Sequence, residues 1–147
     1  MRRNQKPDQL KIELIGCPVR ASLGILGRKW TLLILRNIGV YRAQRFNEML
    51  SITQGLTKRV LSRRLRELKD EGYIQIVDSS RRYVKWDLTE KGKDVLPVLM
   101  GLVFIGSKYY PDQVFEDKKS RGLNEIFEES YIHNVMKNLA IEIPESH

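Results

Sequence analysis

The stretch LTKRVLSRRLRELKDEGYI, residues 56–74, places six basic residues within nineteen positions. Read as a helix, it puts Leu61, Leu65 and Leu68 in one narrow sector, which predicts that these leucines pack against a core. Its cations crowd the N-terminal half, where the field of a helix is already positive, and its acids follow in the C-terminal half. This order disfavours the helix on its own, and an external anion bound at that end is its simplest explanation.

Two interpretations of the outer face of this helix stay open at this stage. In the first, the face is solvated and its arginines pair along the helix, for instance Arg63 with Glu67 at i+4. In the second, the face binds a polyanion. The outer residues are Arg59, Ser62, Arg63, Arg66 and Asp70.

The segment before the basic helix favours the second interpretation. RFNEMLSI carries Phe46, Met49 and Leu50 at i, i+3 and i+4, which predicts a short amphipathic helix. A break that contains Gly55 separates it from the basic helix. A short helix, a tight break and a longer basic helix outline a helix-turn-helix, whose second helix enters the DNA major groove by its N-terminal residues.

The segment after the basic helix predicts a β-hairpin. YIQIVDSSRRYVKWDL alternates apolar and polar residues on both sides of a polar break, DSSRR, which we place at the tip. A hairpin directly after a helix-turn-helix is a wing. Arg81 and Arg82 would then reach the adjacent backbone or the minor groove, whose negative potential attracts arginine. A solvated turn is the alternative for the tip, and Trp86 is expected in the core.

Two further helices are predicted before the helix-turn-helix. The first begins near Pro18, and the second occupies KWTLLILRNIG and ends at Gly39. The residues expected to be buried are Val19, Leu23 and Leu26 in the first helix and Trp30, Leu33, Ile34 and Ile38 in the second.

The region after the hairpin is predicted to be helical and to contact a second subunit. Thr89 is expected to cap a long helix through EKGKDVLPVLMGLVFIGSKYY, with a kink at Pro97. Its apolar content exceeds what one buried face needs, so we expect a partner subunit to cover the excess, with the core of a monomer as the alternative. Beyond Pro111, RGLNEIFEESYIHNVMKNL predicts an added helix.

Charge and composition narrow the class of protein. Residues 1–90 carry 19 Lys and Arg against 9 Asp and Glu, whereas residues 91–147 carry 7 against 9, so the net charge of +8 comes from the first part. Such a basic region suggests a polyanionic partner, with solvated surface charge as the alternative.

No stretch reaches the roughly 18 apolar residues of a membrane span, and no signal peptide is evident, so neither a membrane partner nor export is expected. The one cysteine excludes an internal disulfide and fits a reducing, cytoplasmic location. If the chain binds DNA, we expect it to associate with the nucleoid there.

Enzymatic interpretations find little support in the residues. His133 and His147 are the two histidines of the chain, and no Cys and His cluster has metal-ligand spacing. No glycine-rich phosphate loop or nucleophile elbow is present. We therefore expect neither an enzyme nor a bound cofactor or metal.

Four linked segments resemble the HxlR-type family of winged helix-turn-helix transcriptional regulators. They are CPVRASLGILGRKWTLLIL, RFNEML, LTKRVLSRRLRELKDEGYI and VKWDLTEKGKDVLPVL, in that order, from about Cys17 to Gly106. The resemblance implies an α+β, mainly helical fold with a winged-helix DNA-binding domain at 17–106. From the residues alone we expect an N-terminal arm at 1–16 and a C-terminal helical extension at 107–147, which the resemblance does not clearly cover. Because of the excess apolar content after the hairpin, we expect N- and C-terminal helices to form a dimer interface.

The resemblance also implies a function. A homodimer would bind a two-fold-related double-stranded DNA operator, with helix 57–71 in the major groove and wing 79–83 on the adjacent backbone or minor groove. The main alternative is a winged helix that binds nucleic acid without sequence preference, as an architectural protein or RNA binder, or that binds protein. By position, the DNA-facing set is Thr57, Lys58, Arg59, Ser62, Arg63 and Arg66.

Cys17 has two interpretations. In the first, which we expect, Cys17 is a small hydrophobic residue buried near the start of a helix, because free cysteines are usually buried. Alternatively it is a redox or electrophile sensor, because a thiol near a helix N-terminus and close to Arg20 is a typical reactive cysteine. Some members of the family that the chain resembles sense reactive species through a cysteine at this position. A redox signal or an unidentified small-molecule effector is thus a candidate partner.

Overall fold

The computed structural model describes residues 7–80, 82–137 and 139, which form helices around one β-hairpin. The helices are α1 (Pro18–Leu26), α2 (Thr31–Gly39), α3 (Phe46–Ile52), α4 (Lys58–Asp70), α5 (Glu90–Lys93), α6 (Leu96–Tyr109), α7 (Pro111–Val114) and α8 (Glu129–Met136). Antiparallel strands β1 (Ile74–Ser80) and β2 (Tyr83–Leu88) lie between α4 and α5, and a 3-10 helix, Leu123–Glu125, precedes α8. The predicted mainly helical α+β fold is confirmed. Among the described residues, no helix is long and apolar enough to cross a membrane.

One hydrophobic core holds α2, α3, α4, the base of the hairpin and the start of α6 together. The predicted burial of Leu61, Leu65 and Leu68 on α4 is confirmed. Each fully buried aliphatic side chain contributes about 1.5 to 3 kcal/mol through the hydrophobic effect, so these three leucines fix which face of α4 points outward.

Some predicted core positions in α1 and α2 are wrong. Leu33 is 39% exposed, and its neighbour Leu35 is buried in its place. Val19 and Leu23 are exposed because α1 reaches the core only through its C-terminal end, at Ile25 and Leu26.

The hairpin is tighter than the predicted five-residue tip. Pairing continues out to Ser80 opposite Tyr83, and a bulge interrupts β1 between Ile76 and Asp78. The prediction for Arg81 falls on a residue outside the described ranges. Trp86 is half-buried and packs against the core from the sheet.

The single kinked helix predicted after Thr89 is wrong. Thr89 does cap a helix, since its Oγ1 accepts a hydrogen bond from the Gly92 amide at 3.1 Å, but that helix, α5, ends at Lys93. Pro97 lies in the first turn of α6 instead of kinking a longer helix, because a first-turn residue needs no amide donor.

The C-terminal region is also more broken than predicted. The 3-10 helix and α8 replace the single expected helix, because Glu128 adopts an extended backbone that starts α8 afresh. Both elements pack on α6, and Val135 of α8 is buried there.

Candidate nucleic-acid interface

The turn between α3 and α4 is fixed from within. The buried Asn37 side chain of α2 donates a hydrogen bond to Thr53 Oγ1 at 2.7 Å and accepts one from Arg36 at 2.7 Å. Gly55 follows with φ of +91°, a conformation that favours glycine, beside the Trp30 ring. Thr57 then caps α4 by accepting a hydrogen bond from the Val60 amide at 3.2 Å. The helix-turn-helix is therefore held by local caps and by one buried polar network.

The inner edge of α4 carries the only α4 arginine that, among the described residues, has partners in the chain. Arg64 Nε donates to the Lys29 carbonyl at 2.9 Å, and its Nη1 donates to the Glu67 carboxylate at 3.2 Å. Arg28 also pairs with Glu67, at 2.9 Å. Partial burial alone would raise the pKa of Glu67, but hydrogen bonds and charge from Arg28 and Arg64 lower it below its usual value. Glu67 therefore pairs with Arg28 and Arg64, and not with Arg63 as the alternative interpretation of this helix would have it.

The cations on the outer face of α4 are unpaired, and Asp70 is the acid at the C-terminal end of this face. Within the described ranges, no basic or hydroxyl side chain of this face makes an ion pair or donates a hydrogen bond to another part of the chain. A surface without its own counter-ions attracts an external anion more strongly than one whose charges are matched. The exposed residues of this face are Lys58, Arg59, Ser62, Arg63 and Arg66.

The wing is attached to the chain just before α3. The Gln44 side chain donates to the Trp86 carbonyl, and the Trp86 amide donates to the Gln44 carbonyl, each at 2.9 Å. The Arg45 guanidinium lies 4.7 Å from the centre of the Tyr83 ring. These contacts hold the wing beside α4, so that Arg82, exposed at the tip, and Arg66 border the same groove.

An ion pair at the base of the wing was not predicted. Arg42, with φ of +56°, donates to both carboxylate oxygens of Asp87 at 3.0 and 3.4 Å. Partial burial would raise the pKa of Asp87, but hydrogen bonds from Arg42 and the Leu88 amide, with the charges of Arg42 and Lys93, lower it. No local pattern marks this pair, because its members lie 45 positions apart.

The Asp87 pair predicts a pH-dependent contribution to stability. A carboxylate whose pKa is lower in the folded state stabilises the fold above its unfolded value, 3.8, and loses that contribution as the pH falls through the folded value. We expect Asp87→Asn to cost under about 1 kcal/mol at pH 7, because the pair is partly exposed. Urea unfolding at pH 7 and pH 3 should show the difference from wild type shrinking at the lower pH. An equal difference at both values would contradict the assignment.

Cys17 lies apart from this surface. It is exposed at the start of α1, where its Sγ accepts a hydrogen bond from the Arg20 amide at 3.5 Å. The expectation that it is buried is wrong, because the first turns of α1 do not reach the core. Within the described residues, no group of three or more His, Cys, Asp or Glu side chains is arranged to hold a metal ion.

A helix-turn-helix followed directly by a two-stranded wing defines a winged-helix protein. The model of the HxlR-like helix-turn-helix family matches residues 25–114, and the chain belongs to that family. This is a family of transcriptional regulators, which implies DNA binding.

Two similar proteins are also named as transcriptional regulators. The chain is 34% identical to YdeP of Bacillus subtilis (strain 168) over 96 residues, which is 64% of this chain and 74% of YdeP. It is 30% identical to YybR of the same organism over 110 residues, or 74% and 86% of the two chains. Both are named uncharacterized HTH-type transcriptional regulators.

Solved structures show the same fold. The transcription factor candidate PA1607 superposes with a TM-score of 0.60 and 30% identity, over 73% of this chain and 72% of PA1607. The redox regulator HypR in its oxidized form superposes with a TM-score of 0.53 and 29% identity, over 61% of this chain and 94% of HypR.

Proposed function

We propose that this chain is a sequence-specific regulator of transcription that binds double-stranded DNA as a homodimer at the nucleoid. Helix α4 lies in the major groove, and the wing, residues 79–83, lies on the adjacent backbone or minor groove through Arg81 and Arg82. The winged-helix domain spans 17–106, between the arm at 1–16 and the extension at 107–147. The contact residues on and before α4 are Thr57, Lys58, Arg59, Ser62, Arg63 and Arg66.

The observation that carries this proposal is the contrast between neighbouring arginines of α4. Arg64 points inward and donates hydrogen bonds to a carbonyl and a carboxylate of the chain. Arg63, one position earlier, is exposed and has no such partner among the described residues. Because the chain matches the inward charge and leaves the outward ones unmatched, the outward set is suited to the phosphates and base edges of DNA.

The proposed contacts divide by chemistry. Arginine suits bidentate contact with guanine O6 and N7, so Arg59 and Arg63 are proposed to read bases. Lys58 and Ser62 are proposed to bind phosphates, which fixes orientation without reading sequence. Thr57 is already used as the helix cap, so it acts chiefly by holding the N-terminus of α4 in shape.

The proposed dimer rests on apolar residues that the chain leaves exposed. Val98, Leu102 and Ile105 form a stripe on α6 opposite its buried residues Leu99 and Met100. Apolar patches of this kind are typical of subunit interfaces. Exposed Val19 and Leu23 on α1 supply a second apolar surface. Two subunits would present two copies of α4 to half-sites about 34 to 36 Å apart.

A charge placed in the stripe should break the dimer. Leu102, 49% exposed in the single chain, is expected to be buried by the partner subunit, so Leu102→Glu should shift the protein to monomer. Sedimentation equilibrium measures this directly. Val77→Glu is the control, since Val77 is 49% exposed on the wing, away from α6. A dimer that persists in Leu102→Glu would place the interface elsewhere.

Cys17 is proposed as a redox-sensing residue, supported by its exposure and by the likeness of the fold to the redox regulator HypR. We expect diamide treatment to change the DNA affinity of the wild-type protein and to leave Cys17→Ser unchanged, because no other thiol is present. Fluorescence anisotropy before and after treatment measures this. Equal responses of the two proteins would remove Cys17 from the proposal.

Selection of bound duplexes from a random library tests the proposed function as a whole. A two-fold-related motif, enriched by about 10³-fold or more over random sequence, is the expected result. Recovery of duplexes without a shared motif would overturn sequence specificity and favour an architectural role. Absence of salt-dependent DNA binding would overturn both and favour a protein-interaction module.

A further inference from the structure

A groove of about 610 Å³ lies between α3, α4 and the wing. We propose that it binds an amphipathic organic anion, with a ring-sized apolar body and one carboxylate. Its volume falls within the range of about 300 to 1,000 Å³ that is typical of small-molecule sites.

The floor of the groove is apolar. Phe46 of α3, Leu65 of α4 and Trp86 of β2 line it from the edge of the core. Ile76 and Val84 extend this surface along the wing, and each is 40% exposed. The chain therefore leaves apolar area open at the centre of a concave site, where a hydrophobic ligand body gains by being removed from water.

The rim of the groove is cationic. Among the described residues that line it, the one carboxylate belongs to Glu48, whose Oε1 lies 4.0 Å from Arg45 Nε and is matched by it. Arg66, Lys69 and Arg82 also line the groove, and in the described part of the chain none of them has an ion-pair partner. A carboxylate at this rim would therefore meet three uncompensated cations.

Floor and rim together select the class of ligand. A DNA phosphate uses the cations but has no use for the exposed apolar floor, and a neutral hydrophobic molecule leaves the cations unmatched. An anion with an apolar body satisfies both surfaces at once.

Such a ligand is expected to oppose DNA binding. Arg66 and Arg82 belong to the proposed DNA-contact set, so ligand and operator would use the same side chains. By linkage, each then lowers the affinity of the other by the same factor. This coupling rests on the proposed function, whereas the binding of the anion to the free protein does not.

Isothermal titration calorimetry of the full chain with 4-phenylbutanoate tests the site, with the neutral 4-phenylbutanamide as the matched ligand. We expect saturable binding of the carboxylate and at least about 3-fold weaker binding of the amide, because only the former meets the rim charges. No saturable heat with the carboxylate, or equal affinity for the two compounds, would overturn the proposal.

Variants locate the site within the chain. Ile76→Ser removes floor area and should weaken the carboxylate about 5- to 10-fold, whereas Val77→Ser, at an adjacent exposed residue outside the groove, should not. Lys69→Gln should weaken it about 2- to 5-fold, with exposed Lys119→Gln as its control. Equal behaviour of Ile76→Ser and Val77→Ser would overturn the placement.

Parallel DNA measurements separate this inference from the proposed function. Selective operator binding without carboxylate binding would overturn the groove site and leave the regulator intact. Carboxylate binding that depends on Ile76, in a protein that does not select DNA, would support the site and remove only its coupling to an operator.

Discussion

Replacing Arg63 with alanine is expected to weaken operator binding by on the order of 1 to 3 kcal/mol, about 5- to 150-fold, and to relax selectivity at one base pair. The reason is that Arg63 is exposed on the outer face of α4 without a partner in the described chain, so its guanidinium is available to a base edge. Anisotropy titrations of the selected duplex and of single-base variants measure both effects.

Arg64→Ala is the matched control for this prediction. Arg64 lies one position along the same helix but donates to Lys29 and Glu67, so its loss should lower the free energy of unfolding by about 1 to 2 kcal/mol. Below the melting temperature of the variant, base selectivity should be retained. If folded Arg64→Ala loses selectivity as Arg63→Ala does, the orientation that we assign to α4 is wrong.

Lys58→Ala separates phosphate binding from base reading in the same assay. Loss of a phosphate contact should lower affinity for all duplexes alike and reduce the slope of log affinity against log salt by about one. A change confined to one base position would instead make Lys58 a base-reading residue.

The second large effect concerns the fold. Gly92→Ala is expected to lower the free energy of unfolding by about 1 to 3 kcal/mol or more, because overpacking forces the backbone apart. A Cβ at Gly92 would lie 2.1 Å from the Tyr73 carbonyl oxygen and 3.1 Å from Leu88 Cβ. Since this contact joins α5 to the start of β1 and the end of β2, the strain would fall on the base of the wing. Urea unfolding measures the loss.

Gly24→Ala is the control for Gly92→Ala. Gly24 also lies inside a helix, α1, but beyond its chain neighbours and the backbone of that helix, no heavy atom of the described residues lies within 4 Å of the position of its added Cβ. Alanine is the better helix former there by roughly 0.8 to 1 kcal/mol, so this variant should be neutral or more stable. Equal unfolding midpoints for Gly92→Ala and wild type would contradict the close contact with Tyr73.

The elements predicted correctly are those whose signals are local. The 3.6-residue spacing of Leu61, Leu65 and Leu68 was sufficient to orient α4, and Thr89 is a helix cap that can be read from one turn of sequence. The helix-turn-helix and the wing follow from such patterns in chain order.

The elements predicted wrongly depend on distant contacts or on competing local signals. Glu67 forms an ion pair with Arg28, which lies 39 positions earlier in the chain. Helical spacing cannot reveal a pair at that separation. Pro97 was compatible with a kink or with a first turn, and the separate start of α6 decides between them. The Arg42–Asp87 pair and the Arg45–Tyr83 contact join the wing to a loop that carries no periodic pattern.

The exposure of α1 has a related origin. Val19 and Leu23 follow helical spacing correctly, but spacing alone does not say whether the apolar stripe is buried by this chain or by another. The proposed dimer would bury this stripe and that of α6.

The central claim is that α4 reads one DNA sequence, and fluorescence anisotropy over a range of salt concentrations tests it most directly. The probes are duplex from upstream of the gene for this protein, a shuffled duplex of equal length, single-stranded RNA and the selected duplex. We predict preference for the selected duplex over its shuffled form by about 10³-fold, reduced about 5- to 150-fold in Arg63→Ala and retained in Arg64→Ala. Equal, steeply salt-dependent affinity for every duplex would contradict the claim.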